Sequence, residues 1–488
     1  MVTTLAVFTR DLRVHDNPML AAAAHDADRV VPVFVRDIKS PTKATTVTGR
    51  SVFASDNRQR FLDECLGDLD QSLRKRGGRL VLRTGDPVDE ICRLVDEACA
   101  DRVHIAADCS AYAQRRQDAL GKTLGERGRE LHCHDEVHAA IAPGRLTPAG
   151  RDHFAVFTPY YRRWVDSARR RVVSPPKRLT LPDLDLGGSL TEDRHAGRHA
   201  GDGKDSWGGD GCGHGGRGGR TGGDSGGFAG GETAGRWRAE RWLSEGVHDY
   251  DDSQDLLAED GTSRLSPYLH FGCLSALELV TRAGTSDGTE MSRGDRAFVR
   301  QLAWRDFYQQ LLAARPAAAW ADYRPGRREW RDDPEAQETL EAWRAGRTGI
   351  PIVDAGMRQL LAEGWLHNRA RLITGSFLTK TLGIDWRGGA AHYLEYLVDG
   401  DLANNNLNWQ WVAGTGTDTR PNRVLNPLRQ AERYDPDGVY VRRYVPELAH
   451  LPAATVHRPW RLSDGERQSL GYPAPILDPE KGFRPARP

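Results

Sequence analysis

The chain has 488 residues, 39% of them hydrophobic and 28% charged, which fits a globular protein with two or three cored domains. Lysine plus arginine equals aspartate plus glutamate at 68 each, so attraction by the whole molecule cannot make it a nucleic-acid binder; a DNA partner requires positive charge gathered on one face. No apolar run approaches a membrane span, Met1–Phe8 lacks the features of a secretory signal, and seven cysteines without a CxxC pair exclude a disulfide framework or a zinc site, so the expected compartment is the cytoplasm and no metal is expected.

Short apolar runs at 3–9, 29–36, 80–82 and 103–105 alternate with amphipathic stretches near 56–76, 87–100 and 111–128, and Asp86-Pro87 reads as a helix start. This alternation predicts a doubly wound parallel sheet over residues 1–135, an α/β domain with its ligand crevice beyond the carboxyl ends of the strands. The first strand leads into Thr9-Arg10-Asp11-Leu12-Arg13-Val14-His15-Asp16-Asn17 and not into GxGxxG or a P-loop. Neither a dinucleotide nor a nucleoside triphosphate is indicated there.

From about 136 the alternation fails, and 136–235 reads as a connector that includes Phe157–Trp164. Residues 187–235, dominated by Gly, Asp, Arg and His, have little to bury and are expected to be disordered. Within them His195, His199, Cys212 and His214 lack ligand spacing and read as solvated. After Arg236 apolar residues recur at three- and four-residue spacing in 267–280, 296–313, 335–345, 355–362 and 369–382, predicting an all-α domain over 236–488.

Two stretches of that domain carry chemistry. Asp260–Pro267 places a glycine and small hydroxyls in a tight turn before a helix, suited to a pyrophosphate, although Thr-Ser at such a place also serves as a plain cap. Asp399–Trp411 packs acids, carboxamides and two indoles into a few residues, which suits a flat polar heterocycle; turns, caps and core tryptophans are the alternative. Arginine is dense at 162–163, 169–171, 324–331 and 420–443. Each cluster is either part of a phosphate-binding face or a solvated face with acid partners.

Thr262-Ser263-Arg264-Leu265-Ser266-Pro267, Trp304-Arg305-Asp306-Phe307-Tyr308, Gly349–Arg358, Trp365-Leu366-His367-Asn368-Arg369, Gly414-Thr415-Gly416-Thr417-Asp418 and the opening stretch occur in this order, apart from the last, which begins the chain. With Asp399–Trp411 they closely resemble the photolyase/cryptochrome family of flavoproteins, most nearly its bacterial class I branch acting on cyclobutane pyrimidine dimers. The resemblance covers most of the chain outside the glycine-rich block.

It implies an all-α FAD-binding domain behind an antenna domain. Tyr250, Thr262, Ser263, Leu265 and Ser266 would contact the flavin phosphates, and Arg371 and Asp399 would pack across the ring. Asp401 and Asn405 would meet its edge, Asn405 at N5, with Arg305 also on the cofactor side. Trp330, Trp386 and Trp409 match the electron-transfer chain that photoreduces oxidised flavin; taken singly, each would read as core. Trp304 and Trp411 match the aromatic walls of a pocket for a flipped-out lesion, with Gln301 and Asn368 as its hydrogen-bonding residues and Leu372 beside them. Arg305, Arg369, Arg423 and Arg429 would hold phosphates around it.

Two positions depart from the commonest pattern: Gln301 stands where a glutamate is usual and Leu372 where methionine is common. Enzymes of the family that repair the (6-4) photoproduct also have glutamine there, but they need a histidine pair where this chain has Asn368 and Leu372. The resemblance therefore implies light-driven repair of cyclobutane dimers in UV-damaged DNA by a monomer, with a photoreceptor of the cryptochrome type as the alternative. Ala111–Arg116 resembles the branch that binds 8-hydroxy-5-deazaflavin as antenna, which favours a carboxylate near Arg115; methenyltetrahydrofolate is the other choice.

Overall fold

A computed structural model describes residues 1–37, 55–183, 228–259, 261–284, 291–325 and 329–483. Residues 187–227 of the glycine-rich block, with His195, His199, Cys212 and His214, lie outside them, as do Asp260 and positions 326–328 of one arginine cluster.

The N-terminal part, through His134, is the expected sheet. β1 (Thr3–Phe8), β2 (Arg29–Asp37), β3 (Val81–Gly85), β4 (Arg102–Ala106) and β5 (Glu130–His134) run parallel in the order β3-β2-β1-β4-β5. α1 (Pro18–His25), α2 (Asp56–Arg74), α3 (Pro87–Glu97) and α4 (Ala111–Glu126) connect them, each capped by the side chain the sequence offers: Asn17, Ser55, Asp86 and Ser110. Leu5, Val7, Val31, Val33, Val103 and Ile105 face α3 and α4, while Ala6, Phe8, Val30 and Phe34 face the other way. The order reverses at β1 and β4, so their carboxyl ends form the switch point where open α/β sheets usually take a ligand.

Here that crevice is closed by the rest of the chain. Leu12 N–H donates to Phe271 O at 3.1 Å, and buried Arg13 donates to Gly272 O at 2.9 Å. One hydrophobic core runs from the second sheet face through Phe61, Tyr268 and Phe271 to the helix Arg293–Ala314. The expectation of a ligand crevice at the strand ends is thus corrected at its centre: the switch point is a docking surface for the helices.

Past the connector helix Phe157–Asp166, no strand occurs among the described residues, and no described helix is long and apolar enough to cross a membrane. The connector's end is folded earlier than its composition suggests. Phe228 is buried, Gly231 N–H meets the Cys65 thiol, and the helix Glu232–Arg241 begins with a buried Glu232 that accepts from the Val14 and His15 amides. Disorder is therefore the wrong expectation for residues 228–235.

The helices follow the predicted segments, with one break. The stretch 267–280 is two helices, Ser266–His270 and Ala276–Gly284, separated by Gly272 at φ +67°. A Cβ at Gly272 would lie 1.8 Å from Arg10 O, so the docking of the β1 loop needs glycine here.

Candidate active site

The phosphate-type turn and the Trp365 motif meet, although about a hundred residues separate them. Ser266 Oγ accepts from Trp365 Nε1 at 3.2 Å, and the Arg264 guanidinium lies 4.5 Å from the Trp365 ring centre. Arg264 takes a left-handed φ of +48°, rare for a side-chain-bearing residue, to turn the chain between the Thr262-Ser263 hydroxyls and buried Leu265. Tyr250 packs edge-on against Trp242 and Phe298, and its phenol is pushed up by burial.

Arg371 and Asp399 form the expected pair: one guanidinium nitrogen donates to both carboxylate oxygens at 3.0 and 2.8 Å, and Arg371 Nε donates to Leu366 O at 2.9 Å. Asp401 caps the helix Leu402–Ala413, accepting from Asn404 N–H at 2.8 Å. Its other oxygen accepts from Arg10 Nη1 at 2.7 Å, and Arg10 Nε donates onward to Asp108 at 2.7 Å. Burial alone would raise the Asp401 carboxyl, yet Arg10, with Arg305 behind it, holds it well below the usual carboxylate range.

Around these charges stand groups the sequence reading passed over. Arg58 of α2 donates to Leu397 O at 2.7 Å and Gly400 O at 3.1 Å; burial draws it down to about 10. His270 is drawn well below the usual histidine range by burial and by Arg58 and Arg10, and His138 is lowered to about 3 by burial and Arg10. The one signal for this group was the Thr9–Asn17 loop, distinctive but assigned no role; the arginine and acid partners come from distant stretches.

The amides of the helix Leu402–Ala413 divide by face. Asn406 donates to Ala319 O at 2.5 Å and Gln410 to Ala318 O at 2.6 Å, so these two clamp the turn Pro316–Ala319. Asn405 Nδ2 donates to Ala390 O at 3.1 Å and to Asn406 Oδ1 at 2.9 Å. Both amide hydrogens are thereby used, and Asn405 Oδ1 takes no protein hydrogen bond among the described residues. Buried His270 Nδ1 and His138 Nε2 are likewise without partners. A polar ring ligand with its own donors and acceptors fits these unmatched atoms, and the residues expected to hold FAD fit that cofactor.

Of the three chain tryptophans, Trp386 and Trp409 are buried and Trp330 is half-buried. Trp409 lies against Gly389, where a Cβ would come within 2.3 Å of the indole; Gly389 is one turn along the helix Trp386–Tyr396. Arg331 N–H donates to Gly383 O at 2.9 Å, which brings the Trp330 segment to the turn before Trp386. Trp386 Nε1 donates to Asp322 at 2.8 Å.

Gln301, Trp304 and Arg305 share the helix Arg293–Ala314. Trp304 stacks on Phe157 with centroids 3.6 Å apart and planes at 7°, and Arg300 covers the outer aromatic rings Phe157 and Tyr161 at 5.2 and 5.1 Å. Gln301 and Asn368 are exposed, Leu372 and Trp411 half-buried, and Arg423 lies 5.3 Å from the Trp411 ring centre. Arg423 and Arg429 are exposed.

Two arginines differ from expectation. Arg305 turns inward, donating to His138 O at 2.5 Å and Leu269 O at 3.2 Å, which removes it from any phosphate-binding mouth and leaves it on the cofactor side. Arg369 is gripped by Asp255 at 3.2 and 2.5 Å and lies over Tyr434, so a nearby carboxylate already balances its charge. In the 169–171 cluster, Arg170 pairs with Asp16 and Arg169 covers Trp164. Those two are structural.

Residues 4–179 match the family model described as DNA photolyase, and residues 298–487 match the FAD binding domain of DNA photolyase. The chain is 49% identical to a deoxyribodipyrimidine photo-lyase of Streptomyces griseus, over 98% of this chain and 97% of the relative. A bacterial class III photolyase from Agrobacterium tumefaciens has a similar solved structure, with TM-score 0.84, 31% identity and coverage of 99% of this chain and 95% of that one. A cryptochrome from Synechocystis aligns with TM-score 0.83 and 28% identity, covering 99% and 97%. With a parallel-sheet domain docked on a helical FAD-binding domain, and with identity of this extent along nearly its whole length, the chain belongs to the photolyase/cryptochrome family.

Proposed function

We propose that this chain is an enzyme, a deoxyribodipyrimidine photo-lyase, that uses light to split cyclobutane pyrimidine dimers in DNA. The observation that carries the reading is the Asn405 carbonyl oxygen, left open by an amide relay in a helical domain of FAD-binding type. Near-complete alignment with a photo-lyase at 49% identity supports the reaction class.

FAD, when bound and fully reduced, would on illumination lend the single electron that opens the dimer and take it back once the two ring bonds have broken. The chain's own groups do the rest. Arg371 and Asp399 hold the ring plane, the 262–266 turn holds phosphates, and Asn405 offers an acceptor to a protonated N5. Trp304 and Trp411 receive the flipped-out bases, Gln301 and Asn368 hydrogen-bond them, and Arg423 and Arg429 hold phosphates without reading sequence. Trp330, Trp386 and Trp409 form an inward electron route, running from a half-buried indole to buried ones.

A second chromophore would sit at the outer end of β2, where Tyr112 donates to Asp37 and Arg115 stands exposed on α4. The arginine favours 8-hydroxy-5-deazaflavin over methenyltetrahydrofolate, and chromatography of extracted chromophores distinguishes them. A cytoplasmic location agrees with free thiols at all six described cysteines, and the expected monomer is tested by size-exclusion chromatography.

The function is tested by illuminating the reduced, FAD-loaded protein with dimer-containing DNA and following the return of thymine absorbance. Recovery is expected. Its absence, with flavin photoreduction intact, would replace this reading with a photoreceptor.

A further inference from the structure

Gln301, an amide where a glutamate is usual, is the departure that the proposed function leaves unexplained. The structure gives it a neighbour. Gln254 follows the short helix Tyr250–Ser253, and its Nε2 donates to Asp251 O at 3.3 Å. In that bonded orientation the Gln254 amide oxygen points outward, where it accepts from Gln301 Nε2 at 3.5 Å. The contact is long, and its force lies in the reverse arrangement: turning Gln301 over would set two carbonyl oxygens face to face.

Tyr250 packs on Phe298, one turn before Gln301, with centroids 6.2 Å apart, and Asp251 pairs with Arg293 at 2.8 Å. Both contacts tie the short helix to the long one that carries Gln301 and Trp304.

We propose that Gln254 is a positioning residue that locks the Gln301 amide with its carbonyl oxygen toward the lesion. The inference rests on the repair reading above. With one N–H held by Gln254, Gln301 keeps an acceptor for a pyrimidine N3–H and one N–H for the adjacent carbonyl. The acceptor that glutamate offers in any orientation is thereby restored, without a negative charge. A free glutamine would spend part of its time presenting its NH2 group to N3–H, donor against donor.

The test compares FAD-loaded parent, Gln254→Leu, Gln301→Glu and the double variant for dark binding of dimer-containing against undamaged oligonucleotide, with flavin content as the folding control. Gln254→Leu is expected to lower the preference for the dimer roughly five-fold, the effect of losing about one neutral hydrogen bond. Adding Gln301→Glu is expected to restore it, because a carboxylate has no wrong way round. An unchanged preference in Gln254→Leu, or a loss that Gln301→Glu fails to repair, overturns the proposal. A parent that neither prefers nor repairs dimers overturns the repair reading; a parent that repairs but is indifferent to Gln254→Leu overturns this one alone.

Discussion

Arg10, in the loop after the first strand, and Asp401, at the head of the helix that carries Asn405, are joined at 2.7 Å across 391 residues of sequence. Asp108, from the loop after β4, binds the same guanidinium at 2.7 Å, so the sheet's switch point grips the helix Leu402–Ala413 through one cation and two carboxylates. Arg10 remains charged against the cost of burial because both acids face it.

Arg10→Met is therefore expected to destabilise the protein by about 3–5 kcal/mol, since it takes from two buried carboxylates the cation they share. Urea unfolding measures this. The double variant Arg10→Met/Asp401→Asn should cost less than the sum of the single changes, and strict additivity would mean that the two residues do not act as a pair.

Trp386 is fully buried, donates to Asp322 at 2.8 Å, and has the Arg387 guanidinium 4.8 Å from its ring centre. Asp322 thus favours positive charge on the indole and Arg387 opposes it. Trp386→Phe is expected to abolish light-driven reduction of the oxidised, FAD-loaded protein, and Asp322→Asn to slow it. Both are read from the loss of oxidised-flavin absorbance under an external reductant. A Trp386→Phe variant that photoreduces at the parent rate would break the proposed route.

These residues also mark how far the sequence could be read. β1 was legible because both sheet faces are covered and all six of its residues are buried, and β3 only through its apolar start at Val81-Leu82, since Arg83 and Thr84 follow. β5 was missed: Glu-Leu-His-Cys-His has a single aliphatic residue, and its histidines gather with His104 at the sheet edge. The Arg371–Asp399 pair followed from motif resemblance. The Arg10, Arg58, Asp108 and Asp401 group did not, because pairing between distant loops leaves no periodicity. The carboxamide run could be read only in part: Asn406 and Gln410 resemble ligand groups in one dimension, but they bond backbone carbonyls at Ala318 and Ala319.

Asn405 makes the next prediction specific. Its Nδ2 is held by Ala390 O and Asn406 Oδ1, which fixes Oδ1 as the outward atom. Asn405→Ala removes that acceptor while the neighbouring Asn406 clamp on Ala319 remains. FAD should still bind, but the reduced cofactor should reoxidise in air several-fold faster than in the parent, the scale of one lost hydrogen bond. Stopped-flow mixing with oxygen measures it, and an unchanged rate would remove Asn405 from control of the flavin.

His367 supplies the pH dependence. It caps the helix Asn368–Ser376, accepting at Nδ1 from Arg369 N–H at 3.1 Å, and burial lowers it from 6.5 to about 4, outweighing the attraction of Asp255. An imidazole that resists protonation when folded but titrates normally when unfolded takes up a proton on unfolding. Stability is therefore full above about pH 6.5 and falls as pH drops toward 4, by about 3 kcal/mol for this group alone. His104 and His392 are lowered as well, to about 4 and about 3, and act in the same direction in any variant that keeps them. His367→Asn retains a capping oxygen but cannot titrate, so its Tm should fall less steeply than the parent's between pH 6.5 and 4. Parallel curves would show that His367 is not protonated on unfolding in this range, and the acid sensitivity would then belong to the other buried histidines.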